Sequence, residues 1–210
     1  MSKKLTVKDL VTANFEVLKE MNHGALFQWS RDNGLDSKAG FSSFKKALLS
    51  VGIDYDALRA AHREAKAEAL ASAVTHEVTF YSDAKARCER FAICDRDGKV
   101  VWFGRFFDGE GSEQSAAELE AAKKAIWLAG KVRQVLGAEA IRLTLRVDAK
   151  WLTTLSGKAA CLADAARKNA IELAMEWIPG TQNPADKWTV TTGFQKWSDV
   201  DLAPLATKLS

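Results

Sequence analysis

Hydrophobic and polar positions change rhythm once along the chain. Up to about residue 75 the apolar residues recur at helical spacing. In VKDLVTANFEVLKEM they fall at Val7, Leu10, Val11, Phe15 and Leu18, with Thr6 placed to cap the first turn. ALFQWSRDNG predicts a second short helix stopped by Gly34. After the loop DSKAG, FSSFKKALLSVG predicts a third that ends at Gly52. YDALRAAHREAKAEALASAV, rich in Ala, Glu and Lys, predicts a fourth helix, more solvated than the others. From His76 the texture becomes strand-like. HEVTFYSD, ERFAICD and KVVWFGRFF read as strands, and DRDG between the last two is a tight-turn signal that makes them a hairpin. SEQSAAELEAAKKAIWLAGKVRQVLG predicts a long amphipathic helix. AIRLTLRVD alternates strictly and predicts a fourth strand. The helical stretch KAACLADAARKNA precedes a fifth strand, IELAMEWI, and PGTQNPADKW leads into a short tail. The expected order is β-β-β-α-β-α-β-α. It describes an α/β domain over 76–210, behind a small all-α domain over 1–75.

Composition changes this picture little. The chain has 210 residues, 47% hydrophobic and 27% charged, which is ordinary for a soluble globular protein. The net charge of +3 does not announce a nucleic-acid binder, so any basic surface must be local. Three cysteines, Cys88, Cys94 and Cys161, have no framework spacing and fit small buried hydrophobes in a reducing compartment. The start MSKKLTVKDL lacks an apolar core for a signal peptide, and no apolar run is long enough for a membrane span. The expectation is a cytoplasmic protein with no membrane partner.

The candidate chemistry gathers at element ends. The triplet DAK occurs twice, in YSDAKAR and RVDAKWL, each time closing a strand on an aspartate. In AIRLTLRVD, Ile141, Leu143, Leu145 and Val147 share one face, and Arg142, Thr144, Arg146 and Asp148 the other. Asp148 therefore ends its strand on the polar side, and Asp83 ends the first strand. Glu118 lies at the edge of the buried stripe marked by Leu119, Ala122 and Ile126. Glu120, roughly 200° further round, points away. In TQNPADKW, Asn183 fits an N-cap and Pro184 the first helical position, which puts Asp186 at the third.

Each carboxylate alone has an ordinary structural explanation at a strand end or helix start. Together, four ionised carboxylates repel unless cations intervene, and hard oxygen ligands suit Mg²⁺ or Mn²⁺. Two such ions about 4 Å apart can activate a water and stabilise the leaving oxygen of a phosphodiester. Lys85 and Lys150, two residues past Asp83 and Asp148, leave three readings open. They contact phosphates, or an ammonium replaces the metal, or the chain turns and the lysines are solvated. Trp151 is a candidate for stacking on a sugar or base, and equally for core packing. In the helical domain, GLDSKAGFSSFKKALLSVGID fits a helix-turn-helix with Lys45 and Lys46 toward phosphate. A protein-partner or self-association module fits those helices as well.

With those residues in view, residues 76–190 resemble the ribonuclease H family. VTFYSDAKA resembles its first strand, SAAELEAAKKAI its helix with the catalytic Glu, and LTLRVDAKWL its fourth-strand segment. WIPGTQNPADKW resembles the final loop and helix of retrotransposon-type members. The resemblance implies a ribonuclease H-like mixed five-stranded sheet flanked by helices. It carries the catalytic, metal-binding set onto Asp83, Glu118, Asp148 and Asp186. It also implies two Mg²⁺ or Mn²⁺ ions and endonucleolytic hydrolysis of the RNA strand in an RNA–DNA hybrid.

Two departures stand out. GTQNPA lacks the histidine of cellular bacterial enzymes, which implies a slower enzyme. Lys85 stands where the family favours a small or polar residue, and it also argues against a DEDD-type exonuclease. The alternative is a catalytically inactive nucleic-acid-binding or regulatory protein of a mobile element, phage or plasmid that kept the fold.

Overall fold

A computed structural model describes residues 6–106 and 113–209. The chain divides into two compact units, one ending at Glu68 and the other beginning at Ala69.

The first unit is helical: α1 (Val7–Ala13), α2 (Phe15–Leu18), α3 (His23–Asp32), α4 (Lys38–Ser50) and most of α5 (Tyr55–Ser72). Thr6 caps α1 reciprocally with Asp9, which satisfies two otherwise unpaired backbone donors. The single helix expected from Val7 to Met21 is instead two. At Asn14 the backbone leaves helical geometry (φ −110°, ψ 14°), and the side-chain amide donates to the Leu10 carbonyl at 2.8 Å. Asn competes with the backbone in this way, so its local hydrogen bond outweighs the apolar periodicity. Val11, Leu18, Leu26, Phe44, Leu48 and Ile53 form the core of this unit. Along α5 only Tyr55 is buried, in keeping with its polar composition.

The second unit is α/β. Its strands are β1 (Val74–Lys85), β2 (Arg90–Asp95), β3 (Val100–Arg105), β4 (Ala140–Val147), β5 (Ile171–Trp177) and β6 (Ala206–Lys208). Its helices are α6 (Gln114–Leu136), α7 (Ala160–Lys168) and α8 (Asp186–Thr189). Phe107 of the expected third strand and Ser112 of the expected long helix lie outside the described residues. The sheet is mixed and open, in the order β3-β2-β1-β4-β5. β1 runs antiparallel to β2 and parallel to β4, and β4 runs parallel to β5.

The sheet has six strands rather than the five expected. β6 pairs antiparallel with the first half of β1 (His76–Lys208, Val78–Ala206), and β2 takes the second half. At three residues β6 is too short to carry a period-two signal. Val78, Phe80, Leu143, Leu145 and Ile171 pack against Ala122, Ile126, Ala129 and Val132 of α6 and Leu162 of α7, forming the main core. Ala92, Cys94 and Phe103 pack with Ala185 and Trp188 at α8. Among the described residues no helix is long and apolar enough to cross a membrane.

Candidate metal centre

Three of the four expected carboxylates meet. Asp83, Glu118 and Asp148 each offer an oxygen, and these oxygens lie within 4.8 Å of one another. Strand geometry accounts for the convergence. The β1–β4 ladder ends at Tyr81–Arg146, two residues before each aspartate. Asp83 and Asp148 stay on the Tyr81 and Arg146 side, because residues i and i+2 share a face. Beyond the last ladder pair the strands need no longer stay adjacent, and Glu118 reaches the group from the second turn of α6.

The three side chains sit in a poorly solvated place. Asp83 is 3% exposed and Glu118 8%. One Asp83 oxygen accepts from the Ala84 amide at 2.8 Å. Its Oδ2, and Asp148 Oδ1, are buried without a hydrogen-bond partner. Burial, and then the charge of Asp148, push the Asp83 carboxyl up to about 7. Burial, then Asp83 and Asp148, push Glu118 up to about 8. Asp148 is raised too, first by burial. Two orphaned buried oxygens, on Asp83 and Asp148, within a group of three crowded carboxylates are what a hard divalent cation satisfies. The donor set contains oxygen alone and fits Mg²⁺ or Mn²⁺.

Asp186 stands outside this group. Its Oδ1 accepts from Lys85 Nζ at 2.6 Å, with the lysine side chain 26% exposed and the aspartate side chain 50%. Its charge still raises the carboxyls of Asp83 and Asp148, so it lies within electrostatic reach. The helix start expected at Asn183 moves to Asp186, which is the first residue of a four-residue helix and not the third. Asn183 is buried and otherwise engaged. Its Nδ2 donates to the Ser82 carbonyl at 3.0 Å and its Oδ1 accepts from the Ala185 amide at 3.1 Å. That pair of bonds ties the final loop to β1 beside Asp83.

The two lysines of the repeated triplet part company. β1 continues to Lys85, which keeps the Asp83 face and reaches Asp186. After Asp148 the chain turns at Ala149 (φ −79°, ψ 88°) into a short 3₁₀ turn, Lys150–Thr154, and Lys150 is exposed. Trp151 is half-buried against the main core and borders the same shallow pocket as Glu118 and Asp148. In the helical unit, Lys45 is held by Asp56 at 2.7 Å, which occupies the charge expected to face phosphate, while Lys46 is exposed.

Two supporting residues escape a reading of sequence pattern. Gln114 donates to Glu118 Oε1 at 2.6 Å and to the Ala84 carbonyl at 2.7 Å, and accepts from the Ala86 amide at 3.1 Å. It therefore fastens the start of α6 to the end of β1 and orients the glutamate. Its i, i+4 spacing from Glu118 is the signal that points to it. Gly180 is the second. A Cβ there would stand 3.0 Å from Asp148 Oδ2, so any larger residue would crowd the carboxylate and require it to shift.

No protein-family model matches the chain, and a search of curated proteins returns no match.

Proposed function

We propose that the second unit is a ribonuclease H-like domain acting as a metal-dependent endonuclease, and that its substrate is the RNA strand of an RNA–DNA hybrid. The observation that carries the reading is the meeting of Asp83, Glu118 and Asp148, from two strand ends and one helix, with buried oxygens left unpaired. The order β-β-β-α-β-α-β-α up to α8, the carboxylates at the ends of β1 and β4 and on α6, and the PG…NPAD loop support it further, while β6 adds a strand after them. When bound by these carboxylates, Mg²⁺ or Mn²⁺ supplies Lewis-acid stabilisation and nucleophile activation for phosphodiester hydrolysis.

The protein's own residues do the positioning. Asp83 and Asp148 present one oxygen each from rigid strand ends. Gln114 holds Glu118 toward them, and Asn183 fixes the final loop to the Ser82 carbonyl. The ammonium of Lys85 lowers the carboxyls of Asp83, Glu118 and Asp148, but burial outweighs it. Protons therefore compete with the cation near neutral pH, and cation affinity rises with pH.

One observation favours a second reading. Lys85 occupies Asp186, the fourth carboxylate of the expected set. A site held in that state matches a hybrid-binding protein without hydrolysis. Incubating the protein with labelled hybrid, duplex DNA and single strands, in Mg²⁺, Mn²⁺ or chelator, separates the two. The nuclease reading expects metal-dependent cutting of the RNA strand that Asp148→Asn abolishes. Binding without cutting under every metal condition rejects it in favour of the second reading.

A further inference from the structure

α5 carries a charge pattern unrelated to the acidic group. Every residue from Asp56 to Ala69 is exposed. At about 100° per residue, Arg59, His62, Arg63 and Lys66 share one arc roughly 100° wide, while Glu64 and Glu68 lie opposite. Asp56 is the nearest carboxylate on the helix, and it is taken by Lys45. Among the described residues, Arg59, Arg63 and Lys66 make no ion pair. The His23 ring, at the start of α3, lies 4.5 Å from the His62 ring, and its Nδ1 is buried without a partner. The His23 imidazole is made less basic by burial first and then by His62, Arg59, Lys66 and Arg63. All four groups of the stripe thus act on one spot.

Helix stability does not explain the stripe. Arg59–Arg63 and Arg63–Lys66 are like charges at neighbouring positions, which destabilises a helix. Ala or Gln would serve an exposed helix position as well without the repulsion. A bound polyanion relieves it. From Arg59 to Lys66 the helix rises about 10 Å, so the three cations lie close enough together to meet neighbouring phosphates of one strand. We propose that Arg59, Arg63 and Lys66 form a metal-independent nucleic-acid site that grips consecutive backbone phosphates of one strand. Contacts to phosphate alone carry no base information, so the site is sequence-independent. It stands whether or not the acidic group cuts.

The test uses the full chain in chelator, so the carboxylate group takes no part. The anisotropy of a labelled RNA–DNA hybrid and a labelled DNA duplex is followed against salt. The wild type is compared with the triple variant Arg59→Gln, Arg63→Gln, Lys66→Gln. Each phosphate contact contributes about 0.9 to the slope of log affinity against log salt, so the triple variant loses about 2–3 from the slope. Its affinity at about 0.1 M salt falls at least tenfold. Arg63→Gln alone lowers the slope by about 1, which keeps the test open if the triple variant fails to fold. Glu64→Gln with Glu68→Gln leaves the slope unchanged. A triple variant that is folded by circular dichroism and keeps wild-type slope and affinity overturns the proposal. So does a loss confined to anionic lipid vesicles, with nucleic-acid binding intact.

Discussion

The same triplet, Asp-Ala-Lys, closes β1 and follows β4, yet only its first residue meets the same fate in both copies. Asp83 and Asp148 converge with Glu118, whereas Lys85 is hydrogen-bonded to Asp186 and Lys150 is solvated. Strand pairing makes the difference. β1 stays extended to Lys85 because β2 pairs with it up to Lys85–Arg90. The β4–β5 ladder ends at Val147–Trp177, and the released chain turns within two residues. Trp177 Nε1 and the Ile178 amide donate to the carbonyls of Asp148 and Val147, at 3.0 and 2.9 Å, and hold that exit in place. A local motif fixes which residue sits at a strand end, and the neighbouring strand decides where the next two residues point.

The comparison can be broken most severely at the shared aspartates. Asp83→Asn and Asp148→Asn are expected to act alike, each lowering Mn²⁺ affinity and hybrid cleavage by more than about a hundredfold. That exceeds the roughly 10–100-fold cost typical of an outer-shell partner. Unequal losses, read by single-turnover cleavage, would assign the site to one copy only. Gln114→Ala is expected next, with cation affinity down about 10–100-fold, as for a residue that orients a ligand. Calorimetric titration checks it, and Gln114→Glu should not restore the amide's bond to Glu118.

The lysines sharpen the contrast further. Lys85→Met frees Asp186 and adds net negative charge to the site, so cation affinity should rise by up to about fivefold, the scale of a half-exposed ion pair. Lys150→Met should change it less than about twofold, as for an exposed charge screened by salt. Equal effects would erase the distinction.

Stability gives a further, indirect reading of the same groups. The folded protein keeps protons on Asp83 up to about 7 and on Glu118 up to about 8, whereas the unfolded chain releases them near pH 4. The stability contributed by these groups is complete below about pH 4 and is lost as pH rises through 7–8. In chelator, Tm should therefore fall between about pH 4 and pH 8 and level off above, by about 2–4 °C for each kcal/mol lost. Asp83→Asn should flatten that slope and Lys150→Met should leave it.

How much of this was legible beforehand follows the range of the interactions. The strict alternation of AIRLTLRVD put Asp148 on the polar face, and the α6 stripe put Glu118 at its edge, because both patterns are local. Asp186 begins its helix instead of taking the third position because Asn183 is engaged by the Ser82 carbonyl, a bond across 101 residues that leaves no periodic trace. The third strand neighbour of β1 leaves no pattern for a similar reason: β6 is recognisable only through its pairing with His76–Val78. The Lys45–Asp56 pair spans two helices and likewise has no signature in either one alone.

The most direct test is a Mn²⁺ titration followed by electron paramagnetic resonance on the wild type and on Asp83→Asn, Glu118→Gln and Asp148→Asn. Saturable binding in the wild type that strengthens with pH, and is lost in all three variants, is the predicted result. Binding that survives each substitution, or a wild type that takes up no Mn²⁺ at any pH, would contradict the account.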